Sequence, residues 1–136
     1  MFRRFKSPLP KTPTNYPSGT FIETEKGYFY ISSPSKRLRL TTKRVLDSWS
    51  PHRVVKTTEA AVRHYRTTAK MRFRNGSLIH NLADGKIYLI EGGLRRHIIS
   101  PEAFVRIGVD PDNLRKYVIS VSLDEINIHP QGDELR

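Results

Sequence analysis

Two stretches of this chain answer each other, and that repetition limits the possible folds more than any other feature. Gly19-Thr20-Phe21-Ile22 is matched by Gly76-Ser77-Leu78-Ile79, and Gly27-Tyr28-Phe29-Tyr30-Ile31 by Gly85-Lys86-Ile87-Tyr88-Leu89. At the offset of the second pair, Arg37 meets Arg95, Leu40 meets Ile98, Thr42 meets Ser100, Leu46 meets Phe104 and Trp49 meets Ile107; the match needs a single-residue gap between Ile22 and Gly27. Self-similarity at a fixed period is the mark of one supersecondary unit copied within a chain. A copied unit with no catalytic cluster is expected to be kept for its surface, so the expectation is a scaffold or adaptor and not an enzyme.

The charge is uneven. Residues 1–75 hold 17 lysines and arginines against 4 acids, a balance of +13, whereas residues 76–136 hold 7 against 9, a balance of −2. Such asymmetry points to a polyanionic or acidic partner for the N-terminal half alone. Cysteine is absent, which excludes disulfides, thiolate nucleophiles and cysteine zinc sites. No apolar run approaches the roughly 18 residues of a membrane span, and Met1-Phe2-Arg3-Arg4-Phe5-Lys6 is basic without the apolar stretch of a signal peptide. The expectation is a soluble, unexported protein with no membrane partner.

Local signals predict an α+β chain: two tandem similar units of short antiparallel strands, each with short helices, behind an extended proline-rich N-terminal arm. Residues 1–18 form that arm, because Pro8, Pro10, Pro13 and Pro17 suit neither a sheet interior nor a helix. Residues 19–62 form repeat unit 1. Gly27 supplies its hairpin turn, Lys36–Leu40 its third strand, and Thr42 caps a helix over Lys43–Trp49 that Pro51 ends. Arg53–Lys56 reads as a strand and Thr58–Val62 as a helical turn. Residues 63–75 are a basic linker or a bridging strand. Residues 76–128 form repeat unit 2, with Asp84-Gly85 as hairpin turn and Ser100-Pro101-Glu102 as a helix start: N-cap serine, proline at the first position, and an acid at the positive end of the dipole. Gly108 stops that helix, and Ser122-Leu123-Asp124-Glu125 has capping-box spacing. Residues 129–136 are a loose polar tail. The expected core comprises Phe21, Phe29, Ile31, Leu40, Leu46, Trp49, Leu78, Ile87, Leu89, Ile98, Phe104 and Ile107.

No constellation of catalytic residues is visible. The five histidines are scattered, with no pair at the spacing of a helical metal motif. Gly92-Gly93 lacks the following Gly-Lys-Ser/Thr of a phosphate loop, and there is no Gly-x-Ser-x-Gly elbow. The expectation is therefore no catalytic residue, no metal and no cofactor. The candidate site is instead a partner-binding set. Phe2, Arg3, Arg4, Phe5 and Tyr16 would anchor the arm, and Lys36, Arg37, Arg39, Lys43 and Arg44 lie on a strand and the helix after it. Arg63, Arg66, Lys70, Arg72 and Arg74 follow in the linker. These cations suit either the acidic surface of a protein or the phosphates of a nucleic acid, with Tyr65 and Phe73 available to stack on bases.

The run from Gly85 to Phe104, Gly-Lys-Ile-Tyr-Leu-Ile-Glu-Gly-Gly-Leu-Arg-Arg-His-Ile-Ile-Ser-Pro-Glu-Ala-Phe, resembles a short repeat found in structural proteins of tailed bacteriophages and in bacterial surface proteins. Val118–Ile126 resembles the end of that repeat, where a strand leads into a short Ser-x-x-Glu helix. The first copy departs from it: Thr42-Lys43-Arg44 replaces Ser-Pro-Glu, and Ser50-Pro51 replaces the glycine stop. The resemblance implies a virion component of tail, neck or baseplate, assembled in the host cytoplasm with other virion proteins in a symmetric ring. A nucleic-acid-binding protein using residues 36–74 and a bacterial cell-surface repeat protein are the alternatives.

Overall fold

A computed structural model of the protein describes residues 8–136. The fold is α+β, with two separate sheets and four short α-helices. It divides into two compact units: the described residues through Leu40 with Pro51–Met71, and Thr41–Ser50 with Arg72–Arg136.

The first unit is built on a five-stranded sheet. Strands β1 (Phe21–Thr24), β2 (Gly27–Ser33) and β3 (Lys36–Leu40) form an antiparallel meander. Then β4 (Val54–Lys56) joins parallel to β1, and β5 (Arg66–Lys70) joins parallel to β3, giving the order β4-β1-β2-β3-β5. The tight β1–β2 turn rests on Gly27, whose φ of 120° is closed to residues with a side chain. Residues directly opposite each other share a face of a sheet. The pairs Ile22↔Phe29, Phe29↔Arg39 and Ile31↔Arg37 therefore define one face. A short helix (Glu59–Val62) is capped by the Thr58 hydroxyl, which accepts from the Ala61 N–H. Its Ala61 and Val62 complete a core with Ile22, Phe29, Ile31 and Tyr65, against which Tyr16 and Val55 pack.

The second unit carries a four-stranded sheet of order β8-β7-β6-β9: β6 (Leu78–Asn81), β7 (Ile87–Glu91) and β8 (Leu94–His97) run antiparallel, and β9 (Val118–Val121) lies parallel to β6. Four helical segments accompany it. They are α1 (Lys43–Trp49), α3 (Pro101–Arg106), a 3₁₀ turn (Pro111–Lys116) and α4 (Leu123–Ile126), with α2 being the Glu59–Val62 helix of the first unit. On one face Leu78, Leu89 and Ile98 pack with Ala103, Phe104 and Val109. The Ser100 hydroxyl accepts from the Ala103 N–H, as the Ser-Pro-Glu start predicts. The opposite face carries Ile79, Tyr88 and Ile90, all buried.

Several boundaries differ from the sequence reading. Helix α1 has the predicted limits but belongs to the second unit, where its N-cap residue Thr42 and its own Arg44 are bonded to Glu125. It ends at Ser50, which takes a φ of 44°. Residues 63–75, expected as a basic linker or a bridging strand, contain strand β5 (Arg66–Lys70), which belongs to the first unit, and the division falls after Met71. The C-terminal residues are not loose. Gln131 and Leu135 bridge to Arg95 and Ile98, and the Leu135 N–H donates to the His97 carbonyl at 2.9 Å. Pro8–Ser18 has neither helix nor strand, yet the Thr14 N–H donates to Ala61 O at 2.9 Å, which ties the end of this segment to the first unit. Among the expected core residues, Phe21, Trp49, Ile87 and Ile107 are only half-buried.

Candidate docking surface

Strand β3 is the most basic element, and its register separates its cations into two kinds. Arg37 lies opposite Ile31 and is drawn into the core face. It is only 8% exposed, with its Cζ 4.0 Å above the Phe29 ring. Its Nη2 donates to Glu59 Oε1 at 2.6 Å and its Nε to Thr67 Oγ1 at 3.0 Å. Burial would push the Glu59 carboxyl up, but the bonds from Arg37 and the Thr24 hydroxyl, with the charges of Arg37 and Lys26, outweigh it and hold the pKa below the usual range. Arg37 is thus an internal cation rather than the exposed docking residue the sequence suggests.

Lys36 and Arg39 are the opposite case. Both are exposed, and each faces another cation across the parallel β3–β5 ladder: Lys36 opposite Arg66, and Arg39 opposite Lys70. The register shifts between Arg37 and Leu38, so that Thr67 is followed in the pairing by Ala69 and Thr68 is left over. This bulge reverses the alternation and puts Lys70 on the face that carries Arg37, Arg39 and Thr67. Like charges directly opposite destabilise a sheet. None of these four cations forms an ion pair among the described residues. Two of the nearby acids are already engaged, Glu59 by Arg37 and Glu25 by the Glu59 backbone N–H. Beside the Arg39–Lys70 pair lies an open concavity of about 440 Å3 lined by Lys26, Phe29, Arg37, Arg39 and Thr67. Replacing Arg39 by Glu turns one repulsive pair into an attractive one. The Arg39→Glu variant is expected to gain about 0.2–1 kcal/mol of stability, read as a higher urea midpoint; a lower midpoint would show that Arg39 has a structural partner.

The second unit holds two buried polar centres. Glu125, only 1% exposed, receives Arg44 Nη2 at 2.6 Å and Nε at 2.9 Å, the Thr42 hydroxyl at 2.8 Å, and the Ser122 N–H and hydroxyl at 3.0 Å each. Burial would raise its pKa, but these donors win and lower it to about 2. His129 is fully buried and its Nε2 accepts from the Phe73 N–H at 3.1 Å, so its Nδ1–H donates to Gly93 O at 2.8 Å. Burial, together with the charges of Arg72 and Arg95, pushes its pKa down against that carbonyl bond. Gly93 takes a φ of 79°, which strains any residue with a side chain, and an added Cβ would force the Arg72 guanidinium to move.

The predicted partner-binding set therefore divides. Phe2, Arg3, Arg4 and Phe5 lie outside the described residues. Tyr16 is an internal anchor, its hydroxyl donating to Thr57 Oγ1 at 2.8 Å and its N–H to the Tyr65 hydroxyl at 2.8 Å. Arg37 and Arg44 are taken up by Glu59 and Glu125. Lys43, Arg63, Arg72 and Arg74 are exposed and take no part in the β3–β5 pairing. Tyr65 and Phe73, 2% and 1% exposed, are not available to stack on bases. The structure brings Arg39 together with Lys70 on one face of the sheet and Lys36 together with Arg66 on the other. Sequence reasoning missed Lys26 and Thr67, because nothing local signals that a hairpin tip and an edge strand meet beside Phe29.

Among the described residues no helix is long and apolar enough to cross a membrane, and no three acidic or histidine side chains converge as a metal site requires. Comparison with known proteins finds no matching family model, curated protein or solved structure. The class that the fold itself defines is a two-sheet α+β protein with a cationic sheet edge.

Proposed function

We propose that the protein is a non-catalytic assembly component that holds neighbouring subunits through the cations of its first unit. The observation that carries this reading is the β3–β5 ladder. Lys36 against Arg66 and Arg39 against Lys70 is an arrangement that costs folding stability, and an acidic surface is what would relieve it.

A second support is a likeness between the two sheets that fits the duplication read from the sequence. Gly19 N–H donates to Ile31 O and Gly76 N–H to Ile90 O, both at 2.7 Å. Ile22 then corresponds to Ile79, and Phe29 with Ile31 corresponds to Tyr88 with Ile90. The arginines follow, Arg37 above Phe29 and Arg95 above Tyr88 at 4.0 and 5.7 Å. Beyond the helices, Tyr65 takes the Tyr16 N–H as His129 takes the Phe73 N–H. The same arginine that pairs with Glu59 in the first copy serves in the second to bind the carbonyls of Ile126 and His129. On this reading the copies keep one core and differ at their edges. Repeated scaffolds of that kind suit an adaptor in a symmetric particle.

The resemblance of residues 85–104 to repeats of tailed-phage structural proteins makes a bacteriophage virion, in its tail, neck or baseplate, the proposed location. The test is mass spectrometry of particles purified from lysates of the host that carries this gene. The chain is expected at a fixed copy number in every preparation. Its absence from intact particles would overturn the virion assignment.

A further inference from the structure

We propose that the free edge of β5 receives an added strand: an extended, acidic segment of a partner protein pairs with Arg66–Lys70 and places one carboxylate in the concavity beside Thr67. This deepens the assembly reading above and rests on it, by naming the mode in which the first unit would hold its partner.

Strand β5 ends the sheet order, and all five of its residues are exposed. Its inner side is engaged, with Arg66 N–H donating to Ser35 O and Met71 N–H to Arg39 O. Its outer side meets no further strand among the described residues. An open edge offers main-chain donors and acceptors to any extended chain. The other edge of this sheet, β4, is three residues long and offers far less.

Lysine, arginine and a bulge on an edge strand have a simpler use, which is to stop edges from aggregating. Here that use and the proposed one agree. Arg66 and Lys70 repel a second copy of β5 and any basic strand and attract an acidic one.

The concavity specifies the ligand further. Arg37 Nε donates to Thr67 Oγ1, so that oxygen already serves as an acceptor and its hydroxyl proton is free for an acceptor on the ligand. Of the cations lining the concavity, Arg37 is offset by Glu59, while Lys26 and Arg39 have no ion-pair partner among the described residues. Lys70, facing Arg39, adds a third positive charge at the rim. A carboxylate on a strand paired with β5, at a position facing the same side as Thr67, meets all of these groups. Nucleic acid fits less well. Phosphates do not match the alternating main-chain groups of an edge, and the one aromatic ring in the concavity, Phe29, is 4% exposed beneath the Arg37 guanidinium.

The experiment titrates the full chain against three labelled probes by fluorescence anisotropy. The first is a peptide of alternating glutamate and valine, the second is the same peptide N-methylated at every internal amide, and the third is an oligothymidylate of equal charge. The first probe is expected to bind at least about tenfold more tightly than either of the others. The Arg39→Glu/Lys70→Glu variant, with unchanged circular dichroism, should lose at least about tenfold for the first probe. Equal binding of the N-methylated peptide would overturn strand addition while leaving acidic docking intact. Tighter binding of the oligothymidylate would overturn the peptide ligand in favour of nucleic acid. A double variant that binds the first probe as well as the native chain would remove β5 and the concavity as the site.

Discussion

Arg37→Met is expected to lower the stability of the protein by about 3 kcal/mol, whereas Arg39→Glu, two residues along the same strand, lowers it not at all. Removing the Arg37 guanidinium strands the Glu59 carboxylate, whose side chain is 14% exposed, without its 2.6 Å partner. It also takes the cation from above Phe29 and leaves Thr67 Oγ1 with one donor fewer. Breaking one side of a buried pair typically costs about 3–5 kcal/mol because the remaining charge stays desolvated; the slight exposure here places the estimate at the lower end. For a small protein with a total stability on the order of 5–15 kcal/mol this is a large loss. The double variant Arg37→Met/Glu59→Met should recover most of it, since replacing both charges by apolar groups of similar size is often neutral. Urea unfolding followed by circular dichroism reads all three. A single variant with a native midpoint would return Arg37 to the exposed docking set.

The second large effect is acid instability centred on Glu125. Its carboxyl has a pKa of about 2 in the fold against an ordinary value of 4.5. Between those two values the unfolded chain holds the proton and the folded chain does not, so stability rises with pH there. The contribution of about 3 kcal/mol is present above pH ~4.5 and lost as the pH falls toward ~2. Glu59, also lowered, adds to the loss in the same direction below its ordinary value. His129 acts earlier. Its folded pKa is depressed, so the unfolded chain takes up a proton first, and stability falls as the pH drops below the ordinary histidine value of about 6.5. A proton on Nε2 would also sever the bond from the Phe73 N–H. Thermal midpoints from pH 7 to pH 2 should therefore fall in two stages. In Glu125→Gln the midpoint at pH 7 is lower and most of the second stage is absent. Parallel curves for the two proteins would mean that Glu125 carries no folding-linked proton.

Much of the local structure was legible in the residues. The α1 limits, Lys43 and Trp49, are the expected ones, although the Thr42 hydroxyl makes no cap bond and donates to Glu125 instead. The serine cap, the proline and the acid that open α3 are all in place, and so is the Ser122–Glu125 capping box of α4. These succeed because capping and turn chemistry act within three or four residues. Reading faces was harder. In the proposed duplication, the β6–β7 connection is two residues longer than that of β1–β2, and β2 carries an irregularity between Ile31 and Ser33 that β7 lacks. The two partly cancel, so a match by sequence stays in step at Arg37 and Arg95 but slips by one in β2. It pairs Tyr30 with Tyr88, where the ladder pairs Phe29 with Tyr88. A slip of one residue turns every side chain to the other face, and Ile90, the ladder's counterpart of Ile31, is fully buried yet absent from the expected core.

Composition and order along the chain determined by themselves that the molecule is α+β, that its positive charge lies in the first half, and where most turns and caps fall. Only the tertiary structure decided which cations are engaged by carboxylates. Arg37 and Arg44 meet carboxylates that stand 22 and 81 residues away in the chain, whereas Arg39 and Lys70 meet each other. It also decided that residues 66–70 are a strand and that the segment after β3 belongs to the second unit. Propensity acts over a few residues and is the same wherever they are placed. Pairing, burial and ion-pair choice depend on which distant groups arrive, and a single bulge at Thr68 was enough to put Lys70 beside Arg39.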